Sequence, residues 1–175
     1  MSRLRLSGCE PTIGKEHLLS LLEFVKESKY PLFILETNGM LLGSDPEYVK
    51  RLKEFRDKLY VRVSFKAATP EGFTQRTGAI GKYYELPFKA LKLLLDQGIY
   101  ARAAAMTDPK IMPKEERRIL IQMLDEIDPI ADYPKTLEEE KIDSYDTTVK
   151  RMKAYVDKGF AEKLKKEIES DESII

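Results

Sequence analysis

Leu32-Phe33-Ile34-Leu35, followed at once by Glu36-Thr37-Asn38-Gly39, decides how this chain is built. Four apolar residues in a row show neither a helical nor an alternating period. Such runs are typical of strands covered on both faces, as in parallel sheets. Glu36-Thr37-Asn38-Gly39 is a turn signal that ends the strand. Upstream, Lys15–Lys26 places Leu18, Leu21, Leu22 and Val25 on one helical stripe, and Leu4-Arg5-Leu6 before it is a short strand. Downstream, Ser44 or Asp45 caps a helix that begins at Pro46 and turns Tyr48, Val49, Leu52 and Phe55 inward. The unit then repeats. Leu59–Phe65 is β-branched and aromatic, Lys66–Lys82 a polar, glycine-containing loop, and Leu86–Gln97 an amphipathic helix stopped by Gly98. Ile99–Met106 predicts a fourth strand and Lys114–Ile127 another helix. From Asp128 the pattern weakens into a linking segment with the charged run Leu137–Lys141, and Asp146–Ile168 is mostly helical.

Alternating strands and helices imply parallel strands joined by right-handed crossovers. The fold class is therefore α/β, either an open doubly wound sheet or a partial parallel β/α barrel of about four to six strands. Residues 1–127 form the core and 128–175 a strand and helix extension of the same domain. In both architectures ligands gather at the carboxyl ends of strands. Four peptides fall there: Ser7–Pro11, Thr37–Gly39, Ser64–Lys66 and Thr107-Asp108.

Composition removes whole classes of function. The 175 residues carry 30 Lys and Arg against 30 Asp and Glu, a balance that argues against a nucleic-acid footprint. No apolar run reaches the roughly 18 residues of a membrane span. Cys9 is the only cysteine, so an intrachain disulfide, a four-ligand zinc site and an iron–sulfur site built by one chain are all excluded. The amino terminus lacks a signal-peptide pattern, which makes a cytoplasmic location the expectation. Asn38 is the only asparagine, a depletion of thermolabile amides that is a thermophile signature.

The chemistry-bearing residues are few. His17, the only histidine, lies in the first helix and reads as a surface or packing residue with no nucleophile to serve. Glu10 and Glu36 each end a strand, where a carboxylate either binds a ligand ammonium or holds a loop by accepting N–H bonds. Arg62, Ser64 and Lys66 share one parity of their strand, opposite Val61, Val63 and Phe65. An apolar core does not accept such a stripe, so it lines a cavity or faces solvent at an edge.

At these motifs the chain resembles the radical S-adenosylmethionine superfamily. Ser7-Gly8-Cys9-Glu10-Pro11-Thr12 is similar to the family's G-G-E-P stretch, which holds the methionyl amino group. Leu35–Gly39 resembles its T-N-G turn, and Val61–Lys66 resembles the fourth strand, which contacts ribose and carboxylate. Gly98-Ile99 and the alanine-rich strand after it resemble the fifth, which borders the adenine. The resemblance implies a partial barrel of that type. It implies S-adenosylmethionine as ligand, with Gly8, Cys9, Glu10, Pro11, Thr37, Asn38, Ser64, Lys66 and, from the fifth strand, Arg102 in contact with it, and no catalytic residue on this chain. Full-length relatives cleave the sulfonium reductively to a 5′-deoxyadenosyl radical with a 4Fe-4S cluster held by C-x-x-x-C-x-x-C. That motif precedes G-G-E-P in the family and is absent here, so the resemblance implies a barrel lacking its first strand and helix. Such a chain is inactive alone and binds the cofactor weakly or not at all. It is a fragment, one half of a split enzyme, or a non-catalytic binding and assembly module. Its first strand has an unpaired edge, which predicts a homo-oligomer or a cluster-bearing partner chain there.

Overall fold

Five parallel strands lie side by side in chain order, and that order fixes the architecture. The strands are β1 (Leu4–Leu6), β2 (Phe33–Thr37), β3 (Leu59–Phe65), β4 (Tyr100–Met106) and β5 (Glu138–Glu140), and each from β2 onward pairs with the strand before it. A doubly wound sheet reverses its order at a switch point; this one does not. Right-handed crossovers, the rule for parallel strands, return each connection over the same face, and the sheet is a half-barrel. The computed structural model describes residues 3–140 together with 146, 147, 149, 150 and 153, which are helical. The rest of the helix expected over 146–168 lies outside the described residues. The chain divides into compact units Met1–Glu140 and Lys141–Ile175, so residues 128–140 belong to the first. No helix among the described residues is long and apolar enough to cross a membrane.

The helices that follow the strands are α1 (Lys15–Glu27), α2 (Met40–Ser44), α3 (Pro46–Leu52), α4 (Pro70–Thr77), α5 (Leu86–Asp96), α6 (Lys114–Ile127) and α7 (Tyr133–Thr136). They cover one face of the sheet. Phe33, Leu35, Leu59, Val61, Val63, Phe65, Ala101, Ala103 and Ala105 are buried under Leu22, Val49, Leu52, Leu91, Leu94, Leu120 and Leu124. The opposite parity, Arg5, Ile34, Glu36, Tyr60, Arg62, Ser64, Tyr100 and Arg102, is half-buried or exposed. The run Leu32–Leu35 is therefore covered on one face only, and Ile34 is half-buried rather than enclosed.

Two segments differ from expectation. Within Lys66–Lys82, expected as a loop, the chain forms α4 and a 3-10 turn over Gly81–Glu85. The local signals are complete: Thr69 accepts the Gly72 N–H at 3.1 Å, Pro70 occupies the first turn, and Gly78 ends the helix at φ 74°. Only one apolar side chain, Phe73, is buried, so there is no helical stripe to read. The charged run after Leu137, expected as a link, supplies β5. Three glutamates have low strand propensity. Here arginines hold them: Glu139 receives Arg117 Nε at 2.9 Å and the Thr107 hydroxyl at 2.5 Å.

Close crossing of α2 and α5 sets where the turn after β2 sits. Gly39 has φ 74°, and a Cβ there would lie 2.9 Å from Val63 Cγ1 and 3.0 Å from Pro87 Cα. At Gly43 a Cβ would lie 2.1 Å from the Leu86 carbonyl oxygen. Both glycines let backbone meet backbone. Gly43→Ala is expected to cost about 3 kcal/mol in urea unfolding, as an overpacked contact against main chain; an unchanged midpoint would refute the close crossing. Acid tests β5 separately. The Arg117 hydrogen bond, against burial and with help from Thr107, holds the Glu139 carboxyl at about 2 rather than 4.5. A folded value below the unfolded one stabilises above about pH 4.5 and is lost as pH falls through about 2. The protection of β5 amides, relative to their intrinsic exchange rate at each pH, should therefore fall over that range, and Glu139→Gln should flatten the profile.

Candidate functional site

The polar face of the half-barrel narrows to a hollow of about 250 Å³ at the carboxyl ends of the strands. Its walls come from four places: Gly8, Cys9 and Glu10 after β1, Glu36, Thr37 and Asn38 at the end of β2, Arg62, Ser64 and Lys66 along β3, and Ala104 and Glu140 from β4 and β5. Register explains the depth. Arg62 pairs with Glu36 on one side and Arg102 on the other, whereas at the next level Ser64 stands beside Ala104, whose far neighbour is Glu138. Two small side chains leave room between the Arg62 level and Lys66.

Arg62 forms the floor. Its guanidinium bonds Glu36, donates from Nε to Glu138 at 2.7 Å, and approaches Glu140 at 3.5 Å. Glu36 also pairs with Arg5, and Glu138 accepts the Tyr60 hydroxyl at 2.9 Å. The Arg62 side chain is 15% exposed. Burial opposes its charge, but Glu36 and Glu138 outweigh burial and hold its pKa above the ordinary arginine value. One cation thus joins β2, β3 and β5, with its guanidinium shared among three glutamates.

Glu10 closes one wall. Its carboxylate accepts the Thr12 N–H at 3.2 Å, the Thr12 hydroxyl at 2.5 Å, the Thr37 hydroxyl at 2.7 Å and the Asn38 N–H at 2.7 Å. Of the two roles open to a carboxylate there, the loop-holding one is built: Glu10 ties the turn after β1 to the turn after β2. Thr37 is also spent, since its hydroxyl accepts the Gly39 N–H at 3.0 Å while donating to Glu10. Asn38 uses Oδ1 for the Met40 N–H at 2.9 Å and remains exposed.

Backbone strain marks the neighbouring turn. Gly8 has φ 96° and Cys9 φ 49°. Cys9 adopts the left-handed region that favours glycine, at a cost of about 1–2 kcal/mol. Its thiol is exposed.

Opposite, the end of β3 is pinned from beneath. Arg76 on α4 donates from Nε to the Lys66 carbonyl at 2.5 Å and from Nη1 to the Ile111 carbonyl at 3.0 Å, and pairs with Glu116 of α6. Glu116 also accepts the Ala68 N–H at 3.0 Å. Both side chains are buried, at 5% and 9% exposure. A Cβ at Gly72 would fall 2.2 Å from Arg76 Nη2, so only glycine leaves space for this pair. The Lys66 side chain itself enters the hollow. Burial lowers its pKa below the ordinary lysine value, partly offset by the negative charge of Glu140.

Seven of the residues expected to contact a ligand are thus brought together: Gly8, Cys9, Glu10, Thr37, Asn38, Ser64 and Lys66. Two are not. Pro11 opens the 3-10 turn Pro11–Ile13, and Arg102 bonds Asp128 at 3.1 Å, stacked 5.2 Å over the Tyr100 ring. Asp128, which ends α6, captures the guanidinium before it reaches the hollow. Thr107-Asp108 also lies outside the lining residues, and His17 is exposed. Glu140 and Ala104 were not foreseen. Nothing local in a run of glutamates reveals a strand end; the clue is Glu138 and Glu140 sharing one parity, as Arg62 and Lys66 do.

Two substitutions test the tied wall. Cys9→Gly should stabilise the protein by up to about 1 kcal/mol, the relief of left-handed strain less the extra chain entropy of glycine. Glu10→Gln, which replaces one of the two accepting oxygens by an amide NH2 facing at least one N–H or O–H donor, should cost about 1–3 kcal/mol. Urea midpoints measure both; a destabilising Cys9→Gly contradicts the strain assignment. Comparison with protein-family models and with curated proteins finds no match to this chain.

Proposed function

We propose that the hollow is a binding site for a sulfonium nucleoside, S-adenosylmethionine, in a radical S-adenosylmethionine-type barrel whose cluster-bearing segment is not part of this sequence. What carries the reading is the convergence of Gly8–Glu10, Thr37-Asn38 and Ser64–Lys66 on one hollow, because the resemblance runs through those three peptides in that order. The donor set suits the ligand. Lys66 offers an ammonium to a carboxylate, and Ser64 offers a hydroxyl with no hydrogen-bond partner among the described residues to a ribose. Glu36 and Glu140 supply negative potential for a sulfonium and an ammonium. Glu10 and Thr37 act as positioning residues, since their hydrogen bonds go to the protein.

The cluster does not fit this chain. One cysteine cannot provide three thiolates, and no group of three or more His, Cys, Asp or Glu side chains that could hold a metal occurs among the described residues. No reductive step is assigned here; binding is. In this reading the cluster comes from a partner chain, and the β1 edge, which has no second strand beside it among the described residues, is where that chain adds.

Without iron ligation the affinity is low, with Kd of about 0.1–1 mM, or roughly −4 to −5.5 kcal/mol. Titration of labelled protein with S-adenosylmethionine should shift the Asn38, Ser64 and Lys66 resonances together. Lys66→Met should weaken binding about tenfold. Saturation by adenosine at the same concentration with no response to the sulfonium would overturn the reading, as would shifts confined to other surfaces.

A further inference from the structure

Lys66 has a combination of properties that the sulfonium reading does not use. It stands at the carboxyl end of β3, the central strand, half-buried among the residues that line the hollow. Among the described residues no hydrogen bond or ion pair reaches its Nζ; Glu140 acts on it only through charge. The main chain that carries it is fixed by the buried Arg76–Glu116 pair, so the amine is presented from a rigid base. The exposed lysines Lys29 and Lys89 have neither this enclosure nor this support.

We propose that Lys66 is a nucleophilic amine and that the hollow is a covalent site for a small, uncharged aldehyde. The neutral amine adds to the carbonyl carbon and forms the C–N bond, while the carbonyl oxygen takes up a proton. Loss of that oxygen as one molecule of water leaves an imine, with no oxidation or reduction. Two groups in the hollow serve these proton movements. Ser64, two residues back on the same strand face, has a hydroxyl free to hydrogen-bond the carbonyl oxygen, and Glu140 is a carboxylate that acts on the amine. Burial makes the neutral amine a larger fraction than on a surface lysine.

The same surroundings select the aldehyde. Every cation on the floor is already taken: Arg62 by Glu36, Glu138 and Glu140, and Arg5 by Glu36. A phosphorylated or carboxylated aldehyde meets those glutamates with no free arginine to receive it. A hollow of about 250 Å³ has room for a compound of a few carbons. This proposal does not rest on the sulfonium reading, because it concerns only the amine and its reaction.

Reductive labelling of the full chain tests it. The protein is treated at neutral pH with limiting glyceraldehyde and sodium cyanoborohydride, and each lysine is followed by peptide mass spectrometry. Lys66 should be modified at least tenfold faster than Lys29 or Lys89, and glyoxylate, an anionic aldehyde, should lose that preference. Unfolding in urea should bring Lys66 to the rate of the other two. Lys66→Arg should remove the focal label and leave Lys29 and Lys89 unchanged. A folded Lys66 that reacts at or below the surface rate overturns the proposal, and so does a preference that survives in urea. If Lys66 labels selectively while the sulfonium titration fails, the ligand reading falls and the amine site stands.

Discussion

The guanidinium of Arg62 is the charge around which the polar face of this sheet is arranged. It sits on the central strand at 15% exposure and takes carboxylates from both sides, Glu36 of β2 and Glu138 and Glu140 of β5. Removing a cation from water costs several kcal/mol, and that cost is met only when its donors are filled with good geometry. The consequence runs outward. β5, three glutamates with little intrinsic reason to be a strand, exists because Arg62 and Arg117 face it from two sides. Its addition extends the sheet to five strands and brings Glu140 to the hollow. The guanidinium of the floor is at the same time committed to carboxylates of the protein itself.

Above that floor the residues divide by what they have left to give. Glu10 and Thr37 spend their hydrogen bonds on tying the turns after β1 and β2 to each other. Arg76 and Glu116 spend theirs on the loop after β3. Ser64 and Lys66 stand between these two braced walls with their functional atoms uncommitted to hydrogen bonds among the described residues. Rigid walls around uncommitted donors are what a binding site requires, since the ordering is done before a ligand arrives. Cys9 carries the local cost, a left-handed residue with a side chain at the lip of the hollow.

Much of this was legible because the relevant signals are local. The strand ends at Leu6, Thr37 and Phe65 and the helices over Lys15–Glu27 and Lys114–Ile127 follow from apolar period and turn residues. The Arg62-Ser64-Lys66 stripe betrays a cavity because alternation puts three polar side chains on one face. What stayed hidden depends on partners distant in sequence. α4 buries one apolar residue, so its identity lies in its caps rather than in a stripe. β5 is written in arginines elsewhere in the chain. Arg102 has the right parity for the hollow, yet Asp128, 26 residues away, holds it aside. A doubly wound sheet and a half-barrel have the same alternation of strand and helix and differ only in strand order, which no local signal in the chain encodes.

A double-mutant cycle between Arg62 and Glu138 tests the central interaction most directly. Unfolding free energies of Arg62→Met, Glu138→Gln and the double variant are compared with the parent chain. A coupling energy of about 1–3 kcal/mol is expected if the guanidinium anchors β5 to the central strand. Coupling within about 0.3 kcal/mol of zero would mean that β5 is held by something else, and the arrangement of the hollow around Arg62 would fall with it.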